Sequence, residues 1–179
     1  MKLGTMVAAA LGLVGACLAT GAPALADGGG GGGSNSNSTC PPGEVYDAAH
    51  SKCVKKQAGV LPDPALADYA YALIKAGRFG EAIGVLDVMK DPNTAVALNY
   101  RGYATRRLGR VDEGIGYYLK SVALDPHYAQ VREYLGEAYL VKGDTASAKA
   151  QLVAIKQICG STCEAYEHLA VAIANPADL

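Results

Sequence analysis

The 179-residue sequence has no tryptophan, a single phenylalanine and only three histidines. Each scarcity excludes a class of function. His50, His127 and His168 are scattered along the chain, and spacing places no nucleophile beside any of them, so no catalytic constellation and no enzyme activity are expected. Sixteen basic residues against seventeen acidic ones give a formal charge of −1. A near-neutral chain without a broad basic face argues against nucleic acid as a partner. The one glycine run precedes no strand-and-helix pair, so it is not a phosphate cradle. No two cysteines stand two residues apart, which speaks against a thioredoxin-like redox centre and against zinc. No cofactor and no metal are expected.

The chain opens with what reads as an export signal. Residues 1–26 hold one lysine, an apolar run from Leu3 to Leu18 and the small-x-small site Ala24-Leu25-Ala26, the pattern of a secretory leader. Without Lys2, 15 basic groups face 17 acidic ones, a net charge of −2. The expected location is exported, either periplasmic or secreted. Val14-Gly15-Ala16-Cys17 offers an alternative, a lipoprotein box in which Cys17 carries the lipid and the protein is membrane-anchored. Residues 27–39, six glycines followed by a Ser/Asn tract, have the composition of a flexible linker.

Five cysteines become four once Cys17 is removed or lipidated, and four can pair without remainder. Cys40 and Cys53 bracket PPGEVYDAAHSK, in which Glu44 to Asp47 and Lys52 to Lys55 read as two short strands about a turn. Residues 40–58 are therefore expected to form a disulfide-stapled hairpin, the bridge adding about 3 kcal/mol by loop entropy. Cys159 and Cys163 flank Gly160-Ser161-Thr162, and a second bridge is expected there.

The rest of the chain is organised around Leu98 to Pro126. Leu98, Arg101, Gly102, Thr105 and Leu108 recur at helical spacing, and Gly109 stops that helix. A return helix follows, with Val111, Ile115, Tyr118, Val122 and Leu124 as its buried side, closed by Asp125-Pro126. The pattern repeats. Upstream it runs from Leu66 through Gly77 and Ala82 to Leu86, ended by Asp91-Pro92. Downstream it runs from Leu135-Gly136 through Gly143 and Ala148 to Ile155. Cys163 to Ala174, with Tyr166, Leu169, Ala170 and Ile173 on one face, reads as a closing helix.

This arrangement resembles the tetratricopeptide repeat family from roughly Pro62 to Ala174. The family's small residue in the first helix is matched by Ala70, Gly102, Gly136 and Ala170. Its turn glycine is matched by Gly77, Gly109 and Gly143, and the small residue early in the second helix by Ala82, Gly114 and Ala148. The closing proline is clear at Pro126. Tryptophan is absent, and Leu73 and Thr105 replace the first-helix aromatic that the third copy keeps as Tyr139. The resemblance implies an all-α fold: a right-handed α-solenoid of three helix pairs, near 63–94, 95–128 and 129–162, with residues 163–174 as a cap.

It also implies an inner face lined by the first helix of each pair. Extending the register picks out Tyr71 and Lys75, then Asn99, Tyr103 and Arg106, then Gln130, Glu133 and Glu137 as a peptide-binding groove. Asn99 and Arg106 are expected to hold backbone or carboxylate groups, and Tyr71 and Tyr103 to supply rigid contact area. The lysine and asparagine pairs of the subgroup that clamps chaperone tails are missing. The function expected is an exported interaction module with a protein or peptide ligand. The alternatives are a lipid-anchored structural lipoprotein, the one case with a membrane partner, and, remotely, a thiol–disulfide enzyme.

Overall fold

The computed structural model describes residues 39–178. The leader, the Cys17 box and the linker up to residue 38 lie outside the described residues. Among those described, no helix is long and apolar enough to cross a membrane.

The chain first makes an antiparallel hairpin of β1 (Glu44–Asp47) and β2 (Lys52–Lys55), in which Val45 faces Val54 and Tyr46 faces Cys53. The Asp47 carboxylate organises the turn by accepting from the backbone N–H groups of Ala49 and His50. Two strands alone are marginal in water. Two further features hold these: the Cys40–Cys53 disulfide, and the burial of Val45 and Cys40 in one core with Leu66, Tyr69, Ala70 and Leu73. The Cys40 N–H donates to the Tyr69 hydroxyl at 2.7 Å.

Seven helices follow: α1 (Asp63–Lys75), α2 (Phe79–Leu86), α3 (Ala95–Arg107), α4 (Val111–Leu124), α5 (Ala129–Val141), α6 (Thr145–Cys159) and α7 (Glu164–Ala174). Each packs on the next, and α1, α3, α5 and α7 also pack side by side. The result is an all-α solenoid of three antiparallel pairs and a terminal helix, with the hairpin at its start.

One turn is used three times. Gly77, Gly109 and Gly143 have φ of +73°, +85° and +79°, a conformation that costs a side-chain-bearing residue energy and glycine none. In each case the glycine N–H and the next residue's N–H return to carbonyls of the last helical turn. Gly77 bonds to Ile74 and Arg78 to Leu73; Gly109 bonds to Arg106 and Arg110 to Thr105; Gly143 bonds to Leu140 and Asp144 to Tyr139. The helix ends are thereby satisfied and the chain reverses within two residues.

Small residues set the spacing between packed helices. A Cβ on Gly102 would lie 2.7 Å from the Tyr118 ring, and one on Gly136 would lie 2.6 Å from Leu169 of the terminal helix. Leu169 thus seats α7 on α5. The Cys159–Cys163 disulfide spans the turn between α6 and α7.

Three expectations need correction. The second helix of the first pair stops at Leu86 rather than reaching Asp91-Pro92. The Asp63 carboxylate takes the backbone N–H groups of Lys90 and Asp91 at 2.7 and 2.8 Å, and this turns the segment back onto the start of α1. Leu108, expected on the same side of its helix as Gly102, and Leu124, expected to be buried, are 48% and 58% exposed. Both sit at helix ends, where the chain is already leaving the pair.

Candidate functional site

Side by side, α1, α3 and α5 bring together aromatic residues that are far apart in sequence. Tyr71 stacks on Tyr100 with ring centroids 5.3 Å apart, and Tyr103 meets Tyr134 edge-on at 5.0 Å. Phe79, at the start of α2, lies 6.3 Å from Tyr103. Offset and edge-on contacts of this kind are the favoured geometries for aromatic pairs. Between the first two pairs these rings form the floor of an open concavity of about 230 Å³.

Two cations complete its lining, Lys75 and Arg107. The Arg107 guanidinium lies 5.1 Å from the Phe79 ring centroid and 5.8 Å from that of Tyr103, and donates to the Tyr103 hydroxyl at 3.0 Å. Lys75 is exposed at the rim. Burial pushes the Tyr100 phenol up to about 12, with Tyr128 adding to the shift. Tyr134 is also raised, first by burial and then by Glu133. These phenols stay neutral at any working pH and offer O–H groups rather than charges.

The eight residues expected along the inner face fall into two sets. Tyr71, Lys75 and Tyr103 line the concavity. Asn99, Arg106, Gln130, Glu133 and Glu137 are instead engaged with neighbouring side chains of the array. Asn99, expected at the surface, is fully buried, and its side-chain N–H donates to the Tyr128 hydroxyl at 3.0 Å. Tyr128 donates on to Gln130, which donates to Tyr134. Arg106 pairs with Glu137 across α3 and α5 at 2.7 Å, their side chains only 8% and 17% exposed, and also lies over the Tyr103 ring.

Glu133, likewise expected outward, is buried under α7 and is hydrogen-bonded to His168 Nδ1 at 3.0 Å. Burial pushes its carboxyl up to about 7, against the lowering pull of the His168 hydrogen bond. Sequence reasoning missed Phe79, Tyr100, Arg107 and Tyr134. The three- and four-residue spacing of Tyr100, Tyr103 and Arg107 was the available signal, since it places all three on one side of α3.

Of the other histidines, His50 pairs with Asp47 in the hairpin turn and His127 lies in the α4–α5 loop. Both disulfides are formed, so none of the four described cysteines is a free thiol.

The sequence matches no protein-family model and no curated relative. Solved structures do match it. The crystal structure of MamA superposes with a TM-score of 0.53 at 21% identity, covering 64% of this chain and 71% of that one. The Yersinia enterocolitica type III secretion translocator chaperone SycD gives 0.56 at 18% identity, covering 65% and 86%. The chain has the tetratricopeptide-repeat fold. PcrH, solved in complex with the chaperone-binding region of PopB, superposes with a TM-score of 0.54 at 19% identity, over 65% of this chain and 97% of that one.

Proposed function

We propose that the chain is an exported protein-interaction module that holds an extended segment of a partner protein against the first helices of its repeats. The observation that carries the reading is the aromatic concavity walled by α1, α3 and the start of α2. Rigid aromatic surface with neutral hydroxyls and two cations is suited to side chains and backbone groups together. The structural likeness to PcrH, whose structure contains a bound region of PopB, supports the same use of this array. Two disulfides in a small chain fit an oxidising compartment, and the leader-like residues 1–26 point the same way. A lipid on Cys17 is the alternative mode of retention, and the intact mass of the processed protein separates it from cleavage after Ala26.

A photo-crosslinking residue at Tyr71, compared with one at Val153 on the exposed side of α6, tests the site. Crosslinks to a partner are expected from position 71 in native cell envelopes and not from position 153. Equal yields, or yields from position 153 alone, reject the groove.

A further inference from the structure

Resting on the groove reading, we infer that the bound segment is acidic as well as aromatic or aliphatic: a carboxylate of the partner lies between Lys75 and Arg107 while a neighbouring apolar side chain packs on Tyr71, Tyr100 and Tyr103. Charge decides the first half. Lys75 and Arg107 are the only charged residues lining the concavity. Of the carboxylates near this side of the array, Glu137 is engaged by Arg106 and Glu133 by His168, and exposed Asp68, whose charge reaches Tyr100, lies outside the lining. The opening therefore carries positive charge in a chain that is net negative.

Cations at helix C-termini commonly just complement the helix dipole. Three observations set these two apart. In the last turns of α1 and α3 the carbonyls of Leu73, Ile74, Thr105 and Arg106 are already bonded by the turn N–H groups after them. The Arg107 guanidinium lies over the Phe79 and Tyr103 rings and is tied to the Tyr103 hydroxyl, while its guanidinium N–H groups beyond the one given to Tyr103 stay available. And the charge is not repeated. The position two before the turn glycine is Lys75 in the first pair and Arg107 in the second, but exposed Val141 in the third. There the nearby Lys142 pairs instead with Asp112. A dipole complement alone calls for the same charge at every turn; a binding strip with a basic end and an apolar end does not.

The aromatic floor supplies the second half. A free inorganic anion has no use for it, whereas a peptide places a carboxylate and an apolar side chain within one or two residues of each other.

Fluorescence anisotropy on the full chain, with both disulfides formed, tests this using three labelled peptides. Each has two phenylalanines alternating with two variable residues inside glycine–serine flanks: glutamate, glutamine or lysine. The glutamate peptide is expected to bind at least ten-fold more tightly than the glutamine peptide, and the lysine peptide most weakly. The double variant Lys75→Glu/Arg107→Glu, both surface positions, is expected to invert that order. Equal affinity for the three peptides, an order unchanged by the double variant, or no binding of any peptide overturns the inference. Tyr71→Ser separates the two layers. Loss of all three peptides in this variant with no charge preference in the wild type leaves the groove standing and rejects the acidic ligand. Undiminished binding to Tyr71→Ser rejects the groove itself.

Discussion

Gly102 and Gly114 face each other across the α3–α4 crossing so closely that a Cβ on Gly114 would stand 2.9 Å from the carbonyl oxygen of Gly102. Gly102 in turn leaves room for the ring of Tyr118, the largest fully buried side chain among the described residues. In a helix interior glycine costs about 1 kcal/mol against alanine. Both positions bear that cost because the two backbones and the ring occupy the space of the missing side chains.

A matched pair of substitutions in one helix pair follows. Gly116, in α4, has nothing within 4 Å of an added Cβ, so Gly116→Ala is expected to stabilise by up to about 1 kcal/mol. Gly102→Ala gains the same propensity but pushes on a buried ring, and overpacking costs about 1–3 kcal/mol, so a net loss is expected, larger still for Gly102→Leu. Urea melts of the three variants check the order; a stabilised Gly102→Leu contradicts the crossing described here.

Arg106 joins α3 to α5 through Glu137, with little solvent at either group. Removing one partner strands the other's charge, so Arg106→Ala and Glu137→Ala are each expected to lower stability by about 3 kcal/mol. Replacing both with Met and Leu is expected to recover much of that loss. A double-mutant cycle measures the coupling, and additive losses show that the pair is dispensable.

Glu133 gives a pH dependence whose sign is set by burial. Its folded carboxyl is raised to about 7 from an unfolded value of 4.5, so between these values the folded chain holds more protons than the unfolded one. Stability from this group is full below pH 4.5 and is lost as pH rises through 7. His168, Glu164 and Glu137 surround it. Melting temperature is expected to fall from pH 5 to pH 8 and to flatten in Glu133→Gln. Asp47, lowered chiefly by the His50 hydrogen bond, acts only on the acid side and leaves this window undisturbed.

The two disulfides differ in what they close. Cys40 and Cys53 are 13 residues apart, Cys159 and Cys163 only 4. Paired alanine substitutions are expected to cost about 3 kcal/mol at the first bridge and about 2 at the second. The first also frees a hairpin whose Val45 and Cys40 are part of the first core. Equal or reversed losses in calorimetry contradict this ranking.

The features legible in sequence are those with a local cause. Gly77, Gly109 and Gly143 mark turns because positive φ selects glycine, and the strands of the hairpin fall where alternation and the flanking cysteines put them, at Glu44–Asp47 and Lys52–Lys55. The illegible features depend on partners distant in the chain. Asn99 and Glu133 read as surface residues because periodicity sees only their own helix, while Tyr128 and His168, which make their burial tolerable, lie 29 and 35 residues away. The early stop of α2 has the same origin, since Asp63 is 27 residues from Lys90. The groove was half legible. Tyr71, Lys75 and Tyr103 follow from the repeat register, but Phe79 and Tyr134 reach the same concavity from neighbouring helices.

Each of the two bridges stays within its own end of the array, and none ties one repeat to another. Under tension applied through the chain ends, no covalent stop lies between Cys53 and Cys159. The helices between them are free to reel out at about 3.3–3.6 Å per residue, while the loops behind the two bridges stay closed. Extension is therefore expected to proceed pair by pair. A ligand lying across α1, α3 and α5 would act as a brake on that unravelling, a mechanical clasp that the covalent structure does not supply.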